Sequence, residues 1–151
     1  MNKKIIVVLV SIMLVISLAG CSNDSEPAVY QDGSYRVEGD AAEHGWTPFI
    51  EVEIKDNAIT SVTYDYFDES GALKTEDAEY AASMEPTANT TPEKYSKELE
   101  SQLIDTQNIS KVDDVSGATS SSTNFKFLAE AALNEYAAAG ETGTHTVTIV
   151  K

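Results

Sequence analysis

The chain reads as an α+β domain, an antiparallel sheet with one face covered and two main helices. Two observations predict it. Residues 49–55 and 59–67 alternate apolar and polar side chains, with Asp56-Asn57 between them as a turn. Each of these runs has one apolar and one polar face, as expected of antiparallel strands buried on one side only. Further on, Tyr95, Leu99 and Leu103 recur every four residues, and Phe125, Leu128, Ala132 and Tyr136 form a second stripe. Both stripes have the spacing of a helix that buries one side.

Size and charge bound what the chain can do. Its 151 residues are enough for one domain and hardly for two, and 42% hydrophobic content is ordinary for a globular protein. A domain of this length buries roughly two-thirds of its unfolded surface, which suffices without disulfides. The single cysteine, Cys21, excludes an intrachain disulfide. Formal net charge is −15, from 10 basic and 25 acidic residues; removing residues 1–20 takes away Lys3 and Lys4 and leaves 8 against 25, or −17. So acidic a surface repels nucleic acid and anionic lipid, and predicts no nucleic-acid partner.

Residues 1–20 predict a lipoprotein signal peptide. Lys3 and Lys4 give a positive start, Ile5 to Ala19 form an apolar run of 15 residues, and Leu18-Ala19-Gly20-Cys21 is a lipobox. The run is short for a membrane-crossing helix, which needs about 20 residues. The pattern resembles bacterial lipoprotein signals, in which cleavage precedes the cysteine and two palmitate-type acyl chains are carried on its end. Two chains anchor stably where one is marginal. An uncleaved signal anchor with an incidental cysteine is the competing reading, and residues 14–20 also have the composition of a pheromone fragment, a side role for the released peptide. Residues 21–31, the lipidated N-terminus followed by a polar stretch with Pro27, read as a tether, and 32–151 as the domain.

The domain opens with Asp32-Gly33, a turn signal, and Tyr35 and Val37 alternate in a short strand. A loop with His44, Gly45 and Trp46 leads into the hairpin. Residues 68–75 form a polar turn around Gly71, 76–84 a short helix, and 85–91 a loop carrying Pro86. Thr90 or Thr91 caps the next helix, with Pro92 in its first turn and Glu93 three residues after Thr90 as in a capping box. That helix runs to about Gln107, and the next begins near Phe125 and ends at Gly140, a natural C-terminal cap. Residues 144–150 alternate again, as a last strand at a sheet edge.

Between the two main helices lies Asp113-Asp114-Val115-Ser116-Gly117-Ala118-Thr119, followed by Ser120-Ser121-Ser122-Thr123. This is a helix entrance. Ser and Thr hydroxyls accept hydrogen bonds from the first free N–H groups, and those groups with the helix dipole also favour a phosphate. The string resembles the flavinylation motif Asp-x-x-(Ser/Thr)-Gly-Ala-(Thr/Ser) of the FMN-binding domain family. That family includes the C subunit of sodium-pumping NADH:quinone reductase, the G subunit of the Rnf complex and flavin-bearing surface lipoproteins of Gram-positive bacteria. The Asp-Gly-Ser-Tyr opening, the Gly45-Trp46-x-Pro48 loop, the hairpin and Tyr64-Asp65-Tyr66 extend the resemblance over most of residues 32–139.

The resemblance implies an FMN-binding-domain-like fold with FMN joined to Thr119 by a phosphoester, installed from FAD by a flavin transferase. Ser116, Gly117, Ala118 and Ser120 are then cofactor-side residues, with Gly117 and Ala118 giving room for the phosphate. Asp113 would hold a magnesium ion during transfer, be read by the transferase, or merely cap a turn. Among aromatic candidates for the ring, Trp46 leads Tyr64, Tyr66 and Tyr80, with Met84 behind; for each, core packing competes. The implied role is electron shuttling on the outer face of the cell membrane, from a membrane NADH:quinone-type donor to an extracellular acceptor. Rival readings are a flavin-free binding or signalling lipoprotein and the electron-delivery module of a flavin-dependent reductase. His44 and His145 are too isolated for a metal site, and dinucleotide, Walker and esterase motifs are lacking.

Overall fold

A computed structural model describes residues 29–40, 42 and 44–149. The signal peptide (1–20), the lipid-attachment residue Cys21 and the tether up to residue 28 lie outside the described residues. Tyr30 and Gln31, assigned to the tether by sequence, are already docked. The Tyr30 N–H donates to Asn57 Oδ1 at 2.7 Å and the Gln31 N–H to the Ala137 carbonyl at 2.9 Å.

Four strands form one sheet in the order β3-β2-β1-β4, with β1 at Gly33–Gly39, β2 at Thr47–Lys55, β3 at Ala58–Phe67 and β4 at Gly143–Val147. The first three are antiparallel neighbours. Asp56 and Asn57 turn the β2–β3 hairpin with φ of 53° and 60°, the left-handed pair that a two-residue loop needs to match strand twist. Ile54 pairs with Ile59 but Glu53 pairs with Ser61, so Thr60 is an extra residue and the ladder bulges. That bulge turns Ile59 inward three residues before Val62, where strict alternation forbids it.

β4 differs from the antiparallel expectation. It lies at the edge as its alternation predicts, but runs parallel to β1. All three helices lie between β1 and β4 in the chain, so the return is a crossover, which parallel neighbours require.

α1 (Ala78–Ala88) is capped by Asp77, whose side chain accepts the Tyr80 N–H. It extends past Pro86, which the sequence puts in a loop. So near the helix end the proline costs one hydrogen bond, and no bulky inward packing depends on it, since α1 buries no residue. α2 (Pro92–Thr106) is capped by Thr91 rather than Thr90, with Pro92 first in the helix. This makes Lys94, not Glu93, the residue bonded to the cap. Glu93 instead pairs with Lys97 one turn on. Tyr95, Leu99 and Leu103 are all buried, as their spacing predicts.

α3 (Thr119–Glu130) continues as a π-helix over Ala131–Ala137. The wider turn rotates the buried stripe by one residue. Phe125, Leu128 and Ala132 are inside as expected, but Ala137 takes the place predicted for Tyr136. Tyr136 moves to the flank and stacks on His145 of β4, with 3.7 Å between ring centroids. Gly140, at φ 75°, ends the helix; its N–H donates to the Ala137 carbonyl and that of Glu141 to the Tyr136 carbonyl. That bond pair is the Schellman closure. α2 and α3 cover the inner sheet face, where Tyr35, Val37, Ile50, Val52, Val62 and Tyr64 meet Leu99, Leu103, Phe125 and Leu128 in one core.

Candidate functional site

The loop that enters α3 is held from beneath. Val112 and Val115 are buried and anchor it to the core. The Asp113 N–H donates to Gln102 Oε1 at 2.7 Å, tying the loop to α2. Ser122, fully buried, accepts the Val115 N–H at 3.0 Å and donates to the Ala118 carbonyl at 3.0 Å. The serine run is therefore used structurally, but from inside the helix. The N-cap position is Ala118, which has no capping side chain.

Two expectations for the loop are corrected. Gly117 does not make room for an incoming phosphate. At φ 80°, a Cβ built on it would lie 2.1 Å from the carbonyl oxygen of Ala88, so glycine is there because the end of α1 seats on it. Ala118 is buried, at 5% exposure, and gives no room at the surface either. The other motif residues face solvent: Asp113, Ser116, Thr119 and Ser120 are all exposed. Thr119 is the first residue of α3, where free N–H groups and the helix dipole favour an anion.

Beside it opens a cavity of about 450 Å³, lined by His44, Trp46, Tyr66, Lys74, Tyr80, Ser120, Ser121 and Asn124. That volume and its aromatic walls suit a planar small molecule. Four chain segments that are distant in sequence meet here: the loop before β2, the end of β3, the 73–80 segment and the first turn of α3. Trp46, Tyr66 and Tyr80 thus join Ser120 around one space, as the ring candidates require. Tyr64 does not. It is 1% exposed and packs edge-on against Phe125, with centroids 5.1 Å apart. Met84 packs against the core and does not line the cavity.

A directed hydrogen-bond chain runs inward from the cavity walls. The Ser121 carbonyl can only accept, so Tyr64 Oη, 2.8 Å away, donates to it. Tyr66 Oη, 2.8 Å from Tyr64 Oη, donates in turn, and itself accepts Asn124 Nδ2 at 3.2 Å. Side-chain order along Asn124, Tyr66, Tyr64 and the Ser121 carbonyl follows from one fixed acceptor at its end. Burial pushes the Tyr64 phenol well above its ordinary value, and the neighbouring Tyr66 adds to this.

Lys74 and Asn124 are cavity residues that sequence reasoning missed. Asn124 had a signal, since it lies one helical turn from Ser120 and Ser121 and shares their face. Lys74 had none: it stands in a polar turn, and only the fold brings it over the rings. Its Nζ is 4.3 Å from the Tyr80 centroid, 4.6 Å from Tyr66 and 5.9 Å from Trp46.

Comparison with known proteins follows the same outline. A family model described as FMN-binding domain matches residues 45–134. The chain is 36% identical over 124 residues to a protein named 15 kDa lipoprotein of Treponema pallidum (strain Nichols), covering 82% of this chain and 85% of that one. A Clostridium perfringens protein known from its crystal structure superposes with a TM-score of 0.77 at 35% identity, over 81% of this chain and 100% of that one.

Proposed function

The chain belongs to the FMN-binding domain family, and from that membership we propose that it is a membrane-anchored surface flavoprotein carrying FMN covalently on Thr119. One observation carries the reading: exposed Thr119 stands at the N-terminus of α3, and its neighbour Ser120 lines an aromatic-walled cavity. In this reading Thr119 Oγ1 accepts the FMN phosphoryl group from FAD, with AMP leaving, on a flavin transferase. The first free N–H groups of α3 then face the phosphate. Trp46, Tyr66 and Tyr80 supply surfaces for the ring, and the Asn124–Tyr66–Tyr64 chain holds the Tyr66 wall. Asp113, exposed and on the same loop, is accessible to the transferase or to a magnesium ion. Redox chemistry belongs to the cofactor, and the protein contributes tether, orientation and electrostatics.

The anchor in this reading is Cys21, acylated after signal cleavage. It is supported by the lipobox and by a relative named as a lipoprotein. Among the described residues no helix is long and apolar enough to cross a membrane. Set on the extracellular face, the domain carries electrons from a membrane NADH:quinone-type donor to acceptors outside.

The test is an intact mass of the chain without residues 1–20, co-expressed with a flavin transferase. The parent gains one FMN less one water, and Thr119→Ala gains nothing while keeping its circular dichroism and melting temperature. A parent of unchanged mass, or a modified T119A, would overturn the reading.

A further inference from the structure

Among the described residues Lys74 is the one lysine or arginine lining the cavity, in a chain with far more acidic than basic residues. It is 9% exposed, and among the described residues no carboxylate lies within ion-pair distance of it. A lysine serving only solubility would extend its ammonium into water. Here the backbone on both sides is fixed. Asp65, itself buried, accepts the Thr75 N–H at 3.2 Å and the Thr75 hydroxyl at 2.6 Å. On the other side Leu73 bridges to Phe67 at the end of β3. Three aromatic faces then hold the ammonium in place of a carboxylate. Such a cage fixes the position of the charge without cancelling it, as an ion pair would.

We propose that Lys74 sets the reduction potential of the ring held in this cavity by favouring its reduced form. The inference rests on the reading of Thr119 as the FMN-bearing residue. Near neutral pH an isoalloxazine ring takes up two electrons and one proton, and so gains one negative charge. The electrons come from the quinone-linked membrane donor in the cell and from dithionite in the test. An ammonium in the cavity stabilises the charged product and leaves the neutral oxidised ring almost untouched; that difference shifts the equilibrium.

Lys74→Met and Lys74→Gln remove the charge on two side-chain shapes, and Lys74→Arg keeps it. Each is co-expressed with a flavin transferase, checked by intact mass and melting temperature, and titrated with dithionite against a reference dye. In both neutral variants the equilibrium moves about tenfold or more toward the oxidised form, a fall of about 30 mV for a two-electron couple. K74R stays within about threefold of the parent. Loaded neutral variants with the parent's potential would overturn the proposal and leave the Thr119 reading standing, with Lys74 reduced to a packing role. Neutral variants that fold but take no FMN would also overturn it, making Lys74 a determinant of attachment instead. A parent that takes no FMN would sink both.

Discussion

Gly117 and Glu100 show how single positions support the site without touching a ligand. At Gly117 two costs coincide, a left-handed backbone and a carbonyl oxygen 2.1 Å from where a Cβ would be. Neither can be relieved by turning a flexible side chain, because the obstacle is the backbone of Ala88. Gly117→Ala is therefore expected to destabilise the domain by about 2–4 kcal/mol, read as a lower urea midpoint; an unchanged midpoint would contradict the packing of α1 on the loop. Glu100 on α2 accepts the Tyr64 N–H at 2.7 Å, and burial raises its carboxyl above the ordinary value, with Asp65 adding to this. A group whose folded-state value is raised contributes stability below its unfolded value, and loses it as pH rises through the folded one. Above the ordinary glutamate range Glu100 is thus a net cost. Glu100→Gln keeps an oxygen for the Tyr64 N–H and removes the charge. It should melt higher than the parent at pH 7, with the difference fading as pH falls toward the ordinary glutamate range. An equal or lower melting temperature at pH 7 would show that burial is not what raises this carboxyl.

Among elements, α1 stands apart because it buries no residue and contains Pro86 close to its end, whereas α2 buries five residues. Local opening follows the amount of apolar packing that resists it. Amide hydrogens of α1 should exchange with deuterium faster than those of α2 and of Phe125–Glu130 in α3; comparable protection would mean that the contact with Gly117 anchors α1 fully. The elements also show which signals a chain carries in its sequence. Tyr95, Leu99 and Leu103 marked α2 because burial on one side imposes a period near 3.6, and Asp56-Asn57 marked the hairpin because few residue pairs accept two positive φ values. Pro86 misled because a proline ends a helix only when the helix has turns left to lose. The π-helix at Ala131–Ala137 left no trace in the spacing of the first three stripe residues; it appears only where Ala137 replaces Tyr136 in the core. The alternation of β4 marked a strand but carried no direction, since strand polarity depends on the path the chain takes around α1–α3.

For the whole molecule, the same division between local and assembled signals separates the parts of the site. Thr119, Ser120 and the exposed Asp113 were legible because the loop and helix entrance are contiguous in sequence. Trp46, Tyr66 and Tyr80 were candidates by residue type, and it took the fold to choose them over Tyr64 and Met84. Lys74 acts by meeting the distant Trp46 as well as the nearer Tyr66 and Tyr80, and Ala88 by meeting Gly117, and no local pattern announces either contact. Charge is the property that belongs to no single element. With 25 acidic residues against 8 basic ones after residue 20, that part of the chain carries a net −17 whose field reaches beyond contact distance. In the electron-carrier reading, encounter with a small redox partner depends on the partner's sign. Salt shortens the range of this field to about 8 Å at physiological ionic strength. Oxidation of the dithionite-reduced, flavin-loaded protein by a cationic acceptor such as hexaammineruthenium(III) should slow as salt is added, and oxidation by anionic ferricyanide should speed up. The comparison uses the sign of each salt slope, so the different potentials of the two acceptors do not enter. Salt slopes of the same sign for both would mean that electrons leave through a patch whose local charge departs from that of the whole surface. In that case Lys74 and the basic residues nearest the cavity, rather than the overall acidity, would govern the encounter.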